Sequence, residues 1–219
     1  MPRERGGLST GHWTPLLEEL PMYRRFAAAF SIVASLTLVG APRAFAGDEG
    51  AGANNVVSLR NTESGEVLTR ARVSVAHDPG PTVANENEAF AYASCTDCRT
   101  VAAAVQVVLV EGPTNNYQPA NAAVAVNENC LRCATFAYAN QVVLSPRTHV
   151  EIGDEADGQI EYLQGQIRSV TASSEAFPQM SADLDSLTSQ LVAVVQGEIQ
   201  RSGTTAERSD DRKVDQHDD

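Results

Sequence analysis

A cysteine pair recurs 35 residues after it first appears: Cys95-x-x-Cys98 is followed by Cys130-x-x-Cys133. With that shift, residues 89–109 lie over 124–144 with nine identities in 21 positions. They are Cys95/Cys130, Cys98/Cys133, Thr100/Thr135, Ala102/Ala137, Ala104/Ala139, Gln106/Gln141, Val107/Val142, Val108/Val143 and Leu109/Leu144. All four cysteines belong to this duplication, so it constrains both the fold and any chemistry. The repeats run from about 86 to 111 and from about 121 to 146.

Each repeat carries an alternating segment before its cysteines and another after them. In the first, Val101, Ala103, Val105, Val107 and Leu109 share one face, with Thr100, Ala102, Ala104 and Gln106 opposite. In the second, Phe136, Tyr138, Val142 and Leu144 match the first face, and Thr135, Ala137, Ala139 and Gln141 the other. Alanine favours helix, but period-2 alternation and the terminal Val-Val-Leu favour strand. Gln106 and Gln141 read as outward polar positions. Upstream, Asn55 to Arg60 and Val67 to Ala76 are strand-like and flank Asn61-Thr62-Glu63-Ser64-Gly65-Glu66, a hairpin signal.

The period changes after Pro146. Ile160, Leu163, Ile167 and Val170 step by three and four, as do Met180, Leu184, Leu187, Leu191 and Val194. Pro178 is expected to separate two amphipathic helices, with Ser181 as N-cap of the second and Arg201 and Gly203 at its end. The expected fold is α+β: an antiparallel sheet of about six strands built from hairpins, with a helical hairpin covering one face. The corresponding segments are a β domain at 54–150, a helical hairpin at 151–203, and a charged, disordered tail at 204–219.

The first 46 residues read as a signal peptide: Arg24 and Arg25, an apolar run from Phe26, and Ala44-Phe45-Ala46 as the cleavage site. Met22 is an alternative start, and residues 47–53 form a flexible leader. Cleavage leaves 173 residues that keep 11 of 16 basic and 25 of 28 acidic side chains, a net charge of −14. Such a surface argues against nucleic acid as a partner. The chain is expected to be secreted, with no stable membrane span after cleavage and an exported protein or peptide as its partner.

In an exported chain, disulfides among Cys95, Cys98, Cys130 and Cys133 are the default, with three connectivities open. A tetrathiolate zinc site at the same residues is the first alternative, but Arg99 and Ala134 stand where zinc knuckles usually place glycine. A thiol–disulfide oxidoreductase is the second; its motif normally opens a helix, whereas strand-like residues follow both pairs here. Arg99 and Arg132 would favour a thiolate, and Asp97 would oppose it.

His77, His149 and His217 show no ligand spacing, and no hydrolase or phosphate-binding motif is present. Glu151, Asp154, Glu155 and Asp157 lack calcium-loop spacing and read as the acidic lead-in to a helix. These observations assign no catalytic residue and no cofactor.

From Asn54 to Arg201 the chain resembles a bacterial family: the exported C-terminal region of putative peptide zinc metalloproteases, also found as separate secreted proteins. The resemblance rests on Asn54-Asn55-Val56-Val57 with Asn61-Thr62, on Ala91 to Ala102 around the first cysteine pair, on Asn121 to Asn127 leading to Cys130-Leu131-Arg132-Cys133, and on Gly197-Glu198-Ile199. It implies an exported protein and little about function. The protease half is absent, so it implies no catalytic residue. The export signal, the paired cysteines and the absence of a catalytic constellation point to a secreted, non-enzymatic binding or accessory module.

Overall fold

The computed structural model describes residues 54–218. The segments expected to be a signal peptide and leader, and Asp219, lie outside them. The described residues form β1 (Asn55–Asn61), β2 (Val67–Asp78), β3 (Thr82–Val83), β4 (Glu86–Ala93), β5 (Arg99–Val110), β6 (Asn116–Tyr117), β7 (Ala120–Asn127), β8 (Ala134–Ser145), α1 (Asp154–Thr171), α2 (Phe177–Arg201) and β9 (Glu207–Asp218). The α+β class stands, with strands first and a helical hairpin after them.

The partner of each strand differs from expectation. Among β1 to β8 no strand pairs with its neighbour in sequence. β1, β4 and β7 stack in parallel as one sheet, β2, β5 and β8 in parallel as a second, and β3 and β6 as a third. Each repeat is therefore one rung of a three-rung parallel solenoid. The rungs stack in register, with Asn55 beside Asn87 beside Asn121 and Thr100 beside Thr135. The expected hairpin at Asn61–Glu66 is instead a corner that carries the chain from the first sheet to the second. Only β9 is antiparallel, on β8. Alternation reports which face a residue takes, not which strand it pairs with, so it fits both arrangements. The discriminating signal is the run from Val101 to Val110, apolar on both faces except for Gln106, as a strand covered on both sides requires.

Both faces are indeed covered. Toward the interior, Ala102, Ala104, Ala137 and Ala139 meet Val57, Leu59, Ala89, Ala91 and Ala125 of the first sheet. Small side chains fill a narrow space between the two walls. Gln106 and Gln141, expected outside, are buried there, and the Gln141 amide donates to Gln106 Oε1 at 2.8 Å and to the Asn85 carbonyl at 3.0 Å. Asparagines form a second buried ladder: Asn55 Nδ2 donates to Asn87 Oδ1 and Asn87 Nδ2 to Asn121 Oδ1, each at 2.7 Å. A parallel stack repeats the same position every rung, so one amide type can satisfy its neighbour's donor and acceptor along the axis.

On the other side, Val101, Ala103, Val105, Val107, Leu109, Phe136 and Tyr138 pack against Ile160, Leu163, Ile167, Met180, Leu184, Leu191 and Val195. α1 begins with Asp154, Glu155 and Asp157 in its first turn, which satisfies the helix dipole. α2 starts earlier than expected: Ala176 is its N-cap and Pro178 sits in its first turn, where a missing N–H costs nothing. Ser181 is inside the helix, and its Oγ accepts from Arg212 Nη2 of β9 at 2.7 Å.

The tail is a strand rather than a disordered segment. β9 pairs with β8 through backbone groups, which requires no particular side chains, and it closes the last rung. Asp215 accepts from the Ala125 amide at 2.9 Å, and the Asp211 carbonyl accepts from Asn121 Nδ2 at 2.7 Å. A charged strand is suited to a terminal edge because it discourages further pairing. Tyr138 ties this cap to the helices: its hydroxyl donates to Asp185 at 2.9 Å, and Arg212 pairs with the same carboxylate at 2.5 Å. Burial pushes the Tyr138 phenol up to about 12, so it remains a donor.

Candidate functional site: the stacked cysteine corner

The corner between the two main sheets shares one backbone feature in every rung. The residue two before β2, β5 and β8 takes positive φ each time: Gly65 at 79°, Asp97 at 56° and Arg132 at 56°. Only the first rung places glycine there. The corners are held by backbone hydrogen bonds from Gly65 N to Thr96 O and from Asp97 N to Leu131 O, both 2.9 Å. Asp97 and Arg132, stacked at this position, form a two-pronged ion pair with contacts of 2.5 and 2.6 Å. Hydrogen bonding to Arg132 holds the Asp97 carboxyl below its ordinary range. The third rung contains one residue more than the second between its strands, since β4 and β7 are offset by 34 residues and β5 and β8 by 35. Asn129, with φ 52°, lies within that stretch.

This stacking brings the four cysteines into one cluster. Cys95 and Cys98 are at disulfide-bonding distance, as are Cys130 and Cys133, with Cα separations of 6.2 and 5.7 Å. Pairing is therefore within each motif. Cys98 Sγ lies 3.2 Å from Cys133 Sγ across the rungs. Cys95, Cys98 and Cys133 are buried, and Cys130 partly so.

The surroundings decide what these sulfurs can do. Cys133 Sγ lies 3.0 Å from the Cys95 carbonyl oxygen, and Cys95 Sγ lies 3.5 Å from that of Asn61. Carbonyl oxygens repel a thiolate, which needs N–H donors or cations. Neither neighbouring arginine serves: Arg132 is paired with Asp97, while Arg99 donates to the Glu175 carbonyl at 2.8 Å and lies 4.2 Å above the Phe177 ring. Each motif leads into a strand, so no helix dipole lowers a thiol pKa. The Sγ atoms of Cys95, Cys98 and Cys133 all lie within 4.8 Å of one another, close enough to share a metal when reduced.

Two other features bear on function. An open groove of about 660 Å³ is lined by Pro113, Tyr117, Val143, Arg147, Glu207 and Arg208, with Arg147 and Glu207 paired at 3.0 Å. Among the described residues no helix covers the outer face of the first sheet. This face carries Val56 and Val124, each 38% exposed, and Tyr92 beneath Arg60 at 4.2 Å. Among the described residues no helix is long and apolar enough to cross a membrane.

The sequence pattern did not bring the histidines together, but the solenoid does: His77 and His149 converge on Glu111. The available signal was spacing, because residues 77 and 111 are separated by about one rung. His217 stands apart on β9, 3.6 Å from Asp215. No family model, curated protein or solved structure matches this chain.

Proposed function

We propose that the chain is a secreted, non-enzymatic binding or accessory module whose rungs are braced by the disulfides Cys95–Cys98 and Cys130–Cys133. The observation that carries this reading is the set of groups around the sulfurs: Cys95, Cys98 and Cys133 are buried, Cys95 and Cys133 face carbonyl oxygens, and both arginines are paired elsewhere. Such an environment suits a disulfide and penalises a thiolate. It supports a brace over a redox centre, where an accessible, stabilised thiolate must attack a partner. The same carbonyl oxygens count against a tetrathiolate zinc site, whose sulfurs need donors around them.

The partner is an exported protein or peptide, and the face available to it is the uncovered first sheet around Val56, Phe90, Tyr92 and Val124. Intact-mass measurement of the native protein after alkylation, with and without prior reduction, tests the brace. The expected result is no alkylation before reduction and four alkylated thiols after it. Four reactive thiols in the native exported protein would overturn the reading. A Cys133→Ser variant that trapped mixed disulfides with other proteins would replace it with the oxidoreductase.

A further inference from the structure

We infer that His77, Glu111 and His149 form a binding site for a divalent transition metal of the zinc class, at the opposite end of the rungs from the cysteines. The three come from separate segments. His77 is the penultimate residue of β2, Glu111 follows β5 directly, and His149 lies between β8 and α1. The solenoid stacks them: the Glu111 amide donates to the Asp78 carbonyl at 2.9 Å, and the Arg147 amide to the Val110 carbonyl at 3.2 Å. Nδ1 of His77 lies 2.7 Å from Glu111 Oε1, and Nδ1 of His149 lies 3.0 Å from the same carboxylate. The two rings are 5.9 Å apart, and the three ligand atoms all lie within 4.8 Å of one another.

Two imidazoles and a carboxylate are a donor set suited to zinc and its neighbours and foreign to calcium or magnesium. The support is asymmetric in a useful way. The Glu111 side chain is only 14% exposed and is fixed by the Val150 amide at 3.1 Å, whereas the His149 side chain is 75% exposed and that of His77 39%. A partly buried, hydrogen-bonded carboxylate supplies a fixed ligand, and the open imidazoles supply an entry path and room to adjust. That adjustment is small. Metal bonds of about 2.1 Å in tetrahedral geometry put ligand atoms roughly 3.4 Å apart, so from 2.7 and 3.0 Å the His77 and His149 rings need retreat only about 0.7 and 0.4 Å from the carboxylate. Water completes the coordination. Bound metal would clasp the segment entering the helical hairpin to the ends of two rungs. The site shares no residue with the cysteine corner and does not depend on the reading given for it.

Zinc chloride titrated calorimetrically into the full chain with its disulfides intact tests the site, together with the visible spectrum of the cobalt(II)-loaded protein. The expected outcome is one saturable site per chain, weakened roughly tenfold or more in His149→Ala and lost in His77→Ala/His149→Ala. The cobalt spectrum should lack sulfur-to-metal charge transfer. Glu111→Gln keeps an acceptor for the Val150 amide while removing the charged ligand, and it should weaken binding with the circular dichroism unchanged. Absence of saturable zinc binding, binding unaffected by the double variant, or a sulfur charge-transfer band would each overturn the inference.

Discussion

The two ends of the rungs turn the chain by different means. At the cysteine corner a shared positive-φ backbone is decorated by side chains: two disulfides and the Asp97–Arg132 pair. At the other end two glycines in the turns have no room for a side chain. Gly80-Pro81 and Gly112-Pro113 recur one rung apart, and their backbones touch. A methyl group on Gly80 would lie 2.8 Å from the Pro113 carbonyl oxygen, and one on Gly112 would overlap the Pro79 carbonyl oxygen. One corner is secured by atoms that chemistry can remove, the other by atoms that cannot be added.

That contrast is open to attack, among single substitutions most strongly at Gly112. Gly112→Ala drives a methyl group into backbone that has no rotamer to relieve it, and should cost about 3 kcal/mol, read as a lower urea midpoint. Removing one disulfide, as Cys95→Ser/Cys98→Ser, should cost about 2 kcal/mol, because a loop of this length loses little entropy when closed. Reduction of the wild type breaks both disulfides and should cost about 4 kcal/mol at the cysteine corner without affecting the Gly-Pro turns. Gly65→Ala sharpens the comparison further: nothing lies within 4 Å of the added methyl, so only the backbone strain at φ 79° remains, about 1 kcal/mol. A Gly65→Ala loss equal to that of Gly112→Ala would erase the distinction between the corners.

The smallest effect concerns pH. Hydrogen bonding to Glu111 raises the His149 pKa. Burial pushes Glu111 up, but hydrogen bonds from His149, His77 and the Val150 amide outweigh it and leave Glu111 below its ordinary range. The raised histidine contributes stability in full below its unfolded pKa and loses it as pH rises through the folded value. The depressed carboxylate contributes above its unfolded pKa and loses it as pH falls through the folded value. The pair therefore stabilises between the two folded values. A wild-type melting temperature that falls as pH rises past the His149 titration, with that slope reduced in His149→Gln, is the expected result. An identical pH profile in both proteins would remove the pair from the account.

Much of the secondary structure was legible from side-chain pattern. The alternation at Val101–Leu109 and the three-four steps at Ile160–Val170 and Met180–Val194 fell on β5, α1 and α2. Strand pairing was not legible in that pattern, because a hairpin and a solenoid rung share the same alternation. The information lay in coincidences across about one rung: Asn55, Asn87 and Asn121, or Gly80-Pro81 and Gly112-Pro113. The first rung lacks cysteines, so identity to the other two was too thin to reveal a third copy. β9 was hidden for another reason. Its role depends on backbone pairing with an edge already formed, and a sequence such as Arg208-Ser209-Asp210-Asp211-Arg212-Lys213 carries no apolar trace of that. For the candidate site, the cysteine pairs and their arginines were visible, but the groups that set their chemistry come from elsewhere: carbonyl oxygens and Asp97 from neighbouring rungs, and Glu175 and Phe177 from the helical hairpin.

In-register stacking also makes the molecule's length a countable quantity. A copy of about 34 residues inserted between the second and third rungs would lengthen the axis by one strand spacing, roughly 4.8 Å, and present one more asparagine and glutamine to ladders already in place. The reversed direction of β9 stops that growth where it stands, so size here is set by the number of copies before the cap.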